Sequence, residues 1–278
     1  MIHILTDSTA DLSPELLQRC HINVIPLSVF LDGRTYQDGV DVTLEELFQL
    51  VEETGQLPKT SAPSVADFIQ FFSRQSESIY ISISSKLSAT HQNAVLAGQT
   101  LLGRTAHVID GLNLSTGTGL LVLKAAELRD QGWPAAEIVA EIQASVPRVR
   151  TSFVIDTMDY LYMGGRCSAM QSIVGSLLQI RPVIEVRQDG TLGVKDKIRG
   201  SRKKALQSML ADFHSHLEQI DLHRVFVTHS GCIQDAAYLV EELRKMANIE
   251  EVCITTAGSV IASHCGPNTI GLLYLLKG

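Results

Sequence analysis

Short apolar runs alternate with helix-like segments along most of the chain, and this alternation constrains the fold more than any other feature. "IHIL" reads as a buried strand leaving at "TDSTAD", and "SPELLQRC" as a helix opened by Ser13 and Pro14. "INVIPLSVFL" predicts one second strand, with Gly33 in a turn. Thr43 and Glu46 match a capping box, and Ser64 opens a further helix. Strands follow over "SIYISIS" and "AHVID", each leading into a helical pattern, the second of which ends near Gly132. One more helix, within "PAAEIVAEIQASVPRVRT", leads to a boundary near residue 150. Residues 151–278 repeat the alternation from "SFVID", through a hairpin turning at Asp189-Gly190, to "RVFVTHS", "EEVCITTAG" and a last helix. The expected fold is α/β, in two α/β domains covering 1–150 and 151–278. Sites should lie in the loops beyond the carboxyl ends of the strands.

Charge and motifs narrow the function. Twenty-three basic residues against 30 acidic ones give a net charge of −7, which argues against bulk binding to nucleic acid. "MIHILTDS" lacks the charged and apolar regions of a signal peptide, and no run approaches the roughly 18 apolar residues of a membrane span. The five cysteines are scattered and never C-x-x-C, as expected for free thiols in a reducing cytoplasm. There is no G-x-S-x-G elbow, no phosphate-binding G-x-x-x-x-G-K-[ST] and no H-E-x-x-H; "GTGLL" from Gly117 lacks the third glycine of a dinucleotide loop. No metal or cofactor is expected.

Three hydroxyl-rich strand exits stand out: "TDSTAD", "KTSAPS" and "SSKLSAT". Hydroxyls and free amides at helix starts can hold a carboxylate or phosphate; they also serve as ordinary helix caps. A fourth exit, "GSVIASHCGPNTIG", places His264 in a small-residue loop before a following helix, where it can charge near neutral pH and pair with an anion, or bond its own loop. Together the exits suggest an anion site between two domains.

The runs "TDSTADL", "PKTSAPS", "SSKLSATHQNA", "LYMGGRCSAMQSIVGSLLQIRPV", "KIRGSRKKA" and "GSVIASHCGPNTIG" span nearly the whole chain. Their set and order resemble the bacterial DegV family, the fatty-acid-binding subunits associated with fatty acid kinase. The resemblance implies two α/β domains with a long-chain fatty acid in a tunnel between or beside them. It puts the carboxylate on Thr60 and Ser88 with His264 nearby, and makes Ser61, Thr90, Lys59 and Ser85 weaker candidates. Leu161, Met163, Met170, Ile173, Val174, Leu177 and Leu178 could line the tunnel or fill a core. The sequence departs from the family pattern at Ala62, Ala89 and Asn268, where Gln, Gly and Gly are usual.

"KDKIRGSRKK" carries six basic residues and one acidic residue within ten positions. It reads as a solvated hairpin end or as a docking patch for an acidic protein. The resemblance implies a kinase contact there, with Arg199 as the best positional match and Arg202 as the second. The expected function is non-catalytic: a cytoplasmic carrier presents the fatty acid to a separate kinase for acyl-phosphate formation, with transient membrane contact open to it. The alternative is a serine-dependent hydrolase or acyltransferase using Ser88 and His264, which needs the two side chains in contact.

Overall fold

The computed structural model describes residues 2–166 and 180–278. Strand β1 (Ile2–Asp7) leads through a short turn to helix α1 (Pro14–Arg19), whose cap Ser13 accepts from the Leu16 amide. The single strand predicted next is two, β2 (Ile22–Ile25) and β3 (Ser28–Leu31), and they belong to different sheets. Pro26 between them has no N–H for a ladder and a fixed φ, so the strand ends there. Asp32 and Gly33, both at positive φ, turn β3 directly into β4 (Arg34–Gln37).

Helix α2 (Leu44–Thr54) has the predicted capping box of Thr43 and Glu46. The "KTS" run forms a short strand, β5 (Lys59–Ser61), antiparallel to β3. Then come α3 (Val65–Phe72), β6 (Glu77–Ser82), α4 (Thr90–Thr100), β7 (Thr105–Asp110), α5 (Thr116–Asp130) and α6 (Ala135–Ser145). Beyond these are β8 (Val149–Val154), α7 (Asp159–Gly164), β9 (Ile180–Val186), β10 (Leu192–Arg199) and α8 (Arg202–Ser215). Strand β11 (Ile220–His229), α9 (Ile233–Met246), β12 (Glu251–Thr256), α10 (Ser259–Cys265) and β13 (Ile270–Leu276) complete the described elements.

The described strands form three sheets: a parallel one in the order β2-β1-β6-β7, a mixed one in the order β10-β9-β8-β13-β11-β12, and the antiparallel β4-β3-β5. Helix α5 lies between the first two. It is buried on nearly every side, and its leucines share one core with Ile4, Ile79 and Ile81 of the first sheet and Phe226 and Leu273 of the second. "GTG" serves this packing: a Cβ at Gly117 would sit 2.1 Å from Asn113 Oδ1, and one at Gly119 would sit 2.8 Å from a Leu12 methyl. Two sequence expectations fail near the chain's far end. His264 belongs to helix α10, and the segment after Gly266-Pro267 is β13, a central strand, where a helix was expected. Covered on both faces, β13 shows no alternation, and its apolar run mimics a buried helix.

Candidate functional site

Thr60 and His264 meet although 204 residues separate them in sequence. Strand β5 sets Thr60 opposite Val29 of β3, and α10 packs on both strands, so Thr60 Oγ1 lies 2.8 Å from His264 Nε2. The other ring nitrogen, Nδ1, is buried against Gly164 with no hydrogen-bond partner among the described residues, and a Cβ on Gly164 would come within 2.5 Å of it. Gly165 then ends α7 in the left-handed conformation, so each glycine of "GGR" has its own reason. Burial, followed by the charge of Arg166, lowers the His264 pKa from its ordinary 6.5 to about 4. The ring is therefore neutral near pH 7, which corrects the expectation of a loop histidine that charges there.

The Ser84 carbonyl accepts from the amides of Leu87 and Ser88, and this turn carries Ser88 to the start of α4. Ser88 Oγ lies 2.8 Å from Thr90 Oγ1 and accepts from the Thr90 amide at 3.3 Å. Ala89 has φ −72° and ψ −2°, right-handed helical geometry that needs no glycine. Asn268, by contrast, has φ +57°, a left-handed position that asparagine tolerates. Asn93 donates to Pro63 O at 2.8 Å and ties α4 to the segment that follows Thr60.

Thr60, Ser61, Ser88 and His264 line one cavity of about 240 Å³, with Ala62 and Ala89 on the same wall. Apart from Arg166, its other walls are apolar, Leu161 and Leu192 among them. A small void of about 30 Å³ adjoins it behind Leu114, Ile261 and Cys265, which border both. The hydroxyls around that void bond to protein groups, Thr151 to Asn113, Thr228 to Thr255 and Thr269 to Cys265 O, so carbon faces inward. The shape is a polar mouth with an apolar interior.

Thr90 is fully buried behind Ser88, outside the lining of that cavity. Lys59 and Ser85 are exposed and do not line it; the Ser85 amide binds Asp110. Sequence reasoning missed Arg166, a lining residue that donates to Leu87 O at 3.4 Å and Gly164 O at 2.6 Å. The "GGR" spacing alone carried no sign that the guanidinium folds back to this mouth. Of the proposed tunnel residues, Leu161 lines the cavity and Met163 is 70% exposed; Met170, Ile173, Val174, Leu177 and Leu178 lie outside the described residues.

A larger cavity, about 440 Å³, is walled by the buried carboxyls of Asp7, Asp11 and Asp38. Burial, opposed by the hydroxyl of Ser115 and the Gly258 amide, raises the Asp11 pKa well above the carboxylate range. Those three acids offer an anion no positive charge, whereas the smaller cavity is lined by hydroxyls and Arg166, so the smaller one suits a carboxylate better. Among the described residues, no group of three or more His, Cys, Asp or Glu side chains could hold a metal ion.

In the tautomer with its proton on Nε2, His264 donates to Thr60 Oγ1 and leaves the Thr60 O–H free to donate into the cavity. Ser88, accepting from the Thr90 amide, can likewise turn its proton inward. Two hydroxyls, each backed by a further donor, suit a carboxylate. A serine nucleophile would need a base, but the Ser88 hydroxyl pairs with Thr90 and the His264 Nε2 with Thr60.

The two arginine candidates differ. Arg202 is held within the fold by Asp235, at 2.5 Å, and by Asn268 O, at 2.6 Å. Arg199, at the end of β10, is exposed and has no ion-pair partner among the described residues.

The fold is that of a recognised class. The DegV family model, described as an uncharacterised protein family, matches residues 1–277, and the chain belongs to that family. A DegV domain-containing protein of Caldanaerobacter subterraneus is 35% identical over 277 residues, covering 98% of both chains. A DegV family protein from Thermus thermophilus, described by its fatty acid binding, superposes with a TM-score of 0.93 at 34% identity, covering 99% of each chain. The fatty acid kinase B3 protein of Streptococcus pneumoniae, loaded with linoleic acid, has the same fold at TM-score 0.89, 23% identity and full coverage of both chains.

Proposed function

We propose that this protein binds a long-chain fatty acid without transforming it and presents the carboxylate to a separate fatty acid kinase, which makes the acyl-phosphate. The observation that carries the reading is the junction of the Thr60–His264 and Ser88–Thr90 pairs at the mouth of an apolar cavity. Thr60 and Ser88 donate to the carboxylate, His264 and Thr90 back them, and Ser61 completes the rim. Each buried methylene contributes about 0.8 kcal/mol, so the acyl chain supplies the gross affinity. The charge-assisted hydrogen bonds offset the desolvation of the head group and fix its direction. Fatty acid binding by the Thermus relative supports the ligand class.

Arg199 is the better docking residue for the kinase, because Arg202 is engaged inside the fold. Tyr162 and Met163 on α7, 47% and 70% exposed, suit transient contact with a lipid surface during exchange. No helix among the described residues is long and apolar enough to cross a membrane. Four described cysteines are free thiols, which accords with a cytoplasmic setting.

Purification without added lipid, followed by native mass spectrometry and analysis of the extracted lipid, tests the reading. One fatty acid per chain in both measurements is the expected result. An empty protein that also takes up no member of a fatty acid panel would overturn it.

A further inference from the structure

Ser84, the first serine of "SSKLS", does not line the cavity, yet it is fully buried and every polar group it has is engaged. Its amide donates to Asn113 O at 2.8 Å, and its carbonyl receives the amides of Leu87 and Ser88. Its Oγ accepts from the Lys86 amide at 3.1 Å and donates to Gly190 O at 2.9 Å. Gly190 is the tip of the β9–β10 hairpin, more than a hundred residues further along the chain. It has φ +82°, and a Cβ there would lie 2.3 Å from Ser84 Oγ and 3.0 Å from a Leu112 methyl. The same hairpin supplies Leu192 to the cavity wall.

We propose that Ser84, docked on the Gly190 carbonyl, is a positioning residue for Ser88, so that the β9–β10 hairpin tip sets the direction of the carboxylate-binding hydroxyl. The inference rests on the reading of Ser88 as a carboxylate ligand. Ser84 supplies the turn's own side-chain hydrogen bond to a distant segment, through Gly190 O; the Asp110 carboxylate on the Ser85 amide and Arg166 on the Leu87 carbonyl hold the turn from outside, and Leu87 packs into the core. Leu87 keeps its core packing, so loss of the Gly190 bond re-aims Ser88 while the apolar walls stay in place. The consequence is selective: the head group suffers and the alkyl chain does not.

The test measures displacement of a fluorescent fatty acid from the full chain by palmitic acid and by hexadecanol, well below the melting temperature of each variant. Ser84→Ala and, from the other side of the contact, Gly190→Ala should each weaken palmitic acid about tenfold, the scale of one lost buried hydrogen bond. Hexadecanol, which buries the same chain without a charged head, should change less than about threefold by the same argument. Equal loss of both ligands, or no loss of either, would overturn the positioning role. Ser88→Ala separates the two levels. If it shows the acid-selective loss and the other two do not, the positioning role falls and the carboxylate site stands. If Ser88→Ala is itself unselective, the carboxylate assignment falls and the positioning role falls with it.

Discussion

The neutrality of His264 has a measurable price in acid. Its ordinary pKa of 6.5 falls to about 4 in the folded chain, because the ring is buried beside the Arg166 charge. The unfolded chain therefore binds a proton that the folded chain refuses throughout the window from about 6.5 down to about 4. The sign follows: this contribution to stability is present above pH 6.5 and is lost as the pH falls through the window. Between pH 7 and pH 5 the linkage integrates to about 2 kcal/mol for this one group. Urea unfolding at the two pH values, for the wild type and for His264→Gln, isolates it, since other titrating groups are shared. The wild type should lose about 2 kcal/mol more than the variant over that interval. Equal losses would refute the argument, and would mean that the ring is charged or solvated in the folded state.

Three further perturbations test separate parts of the structure. Gly164→Ala drives a methyl to within 2.5 Å of His264 Nδ1, so both fatty acid affinity and melting temperature should fall; Gly165→Ala, with open space but a φ of +67°, should cost about 1 kcal/mol of stability and leave affinity unchanged. Arg202→Glu should destabilise by about 1–3 kcal/mol in urea, because it abandons Asp235 and the Asn268 carbonyl, whereas Arg199→Glu should stay within about 0.5 kcal/mol and slow only kinase-dependent turnover. Gly117→Ala places a Cβ 2.1 Å from Asn113 Oδ1 and should lower stability by about 1–3 kcal/mol, visible as a reduced urea midpoint.

The strands and helices with strong local signals were legible in the sequence. Capping at Ser13, Thr43 and Ser64 and the turn at Asp189-Gly190 follow from side-chain chemistry confined to a few residues, and all are found. What escaped was set by distant parts of the chain. Helix α10 is seven residues long, too short to display a period, so its small residues resembled a loop. The β2–β3 break turned on Pro26, and the separation into two sheets on partners that local reading cannot see. At the candidate site, the family pattern singles out Thr60, Ser88 and His264, and the structure brings all three to one cavity. The contacts of Arg166 and Ser84 near the cavity escaped local reading, because they run to backbone carbonyls at Leu87 and Gly190 that no spacing rule reports.

The position of β13 also shapes how the chain can fold. Among the described strands it alone joins β8 to β11, so before it arrives the mixed sheet exists as two unconnected pieces, β10-β9-β8 and β11-β12. Each piece then carries an open edge ready to pair with another chain. A polypeptide emerging from its N-terminus must hold both edges apart until residues 270–276 are available, and α10 with His264 comes just before them. Closure of the sheet and completion of the cavity mouth thus fall to one late segment, which leaves partly made chains with an unfinished cavity and open strand edges.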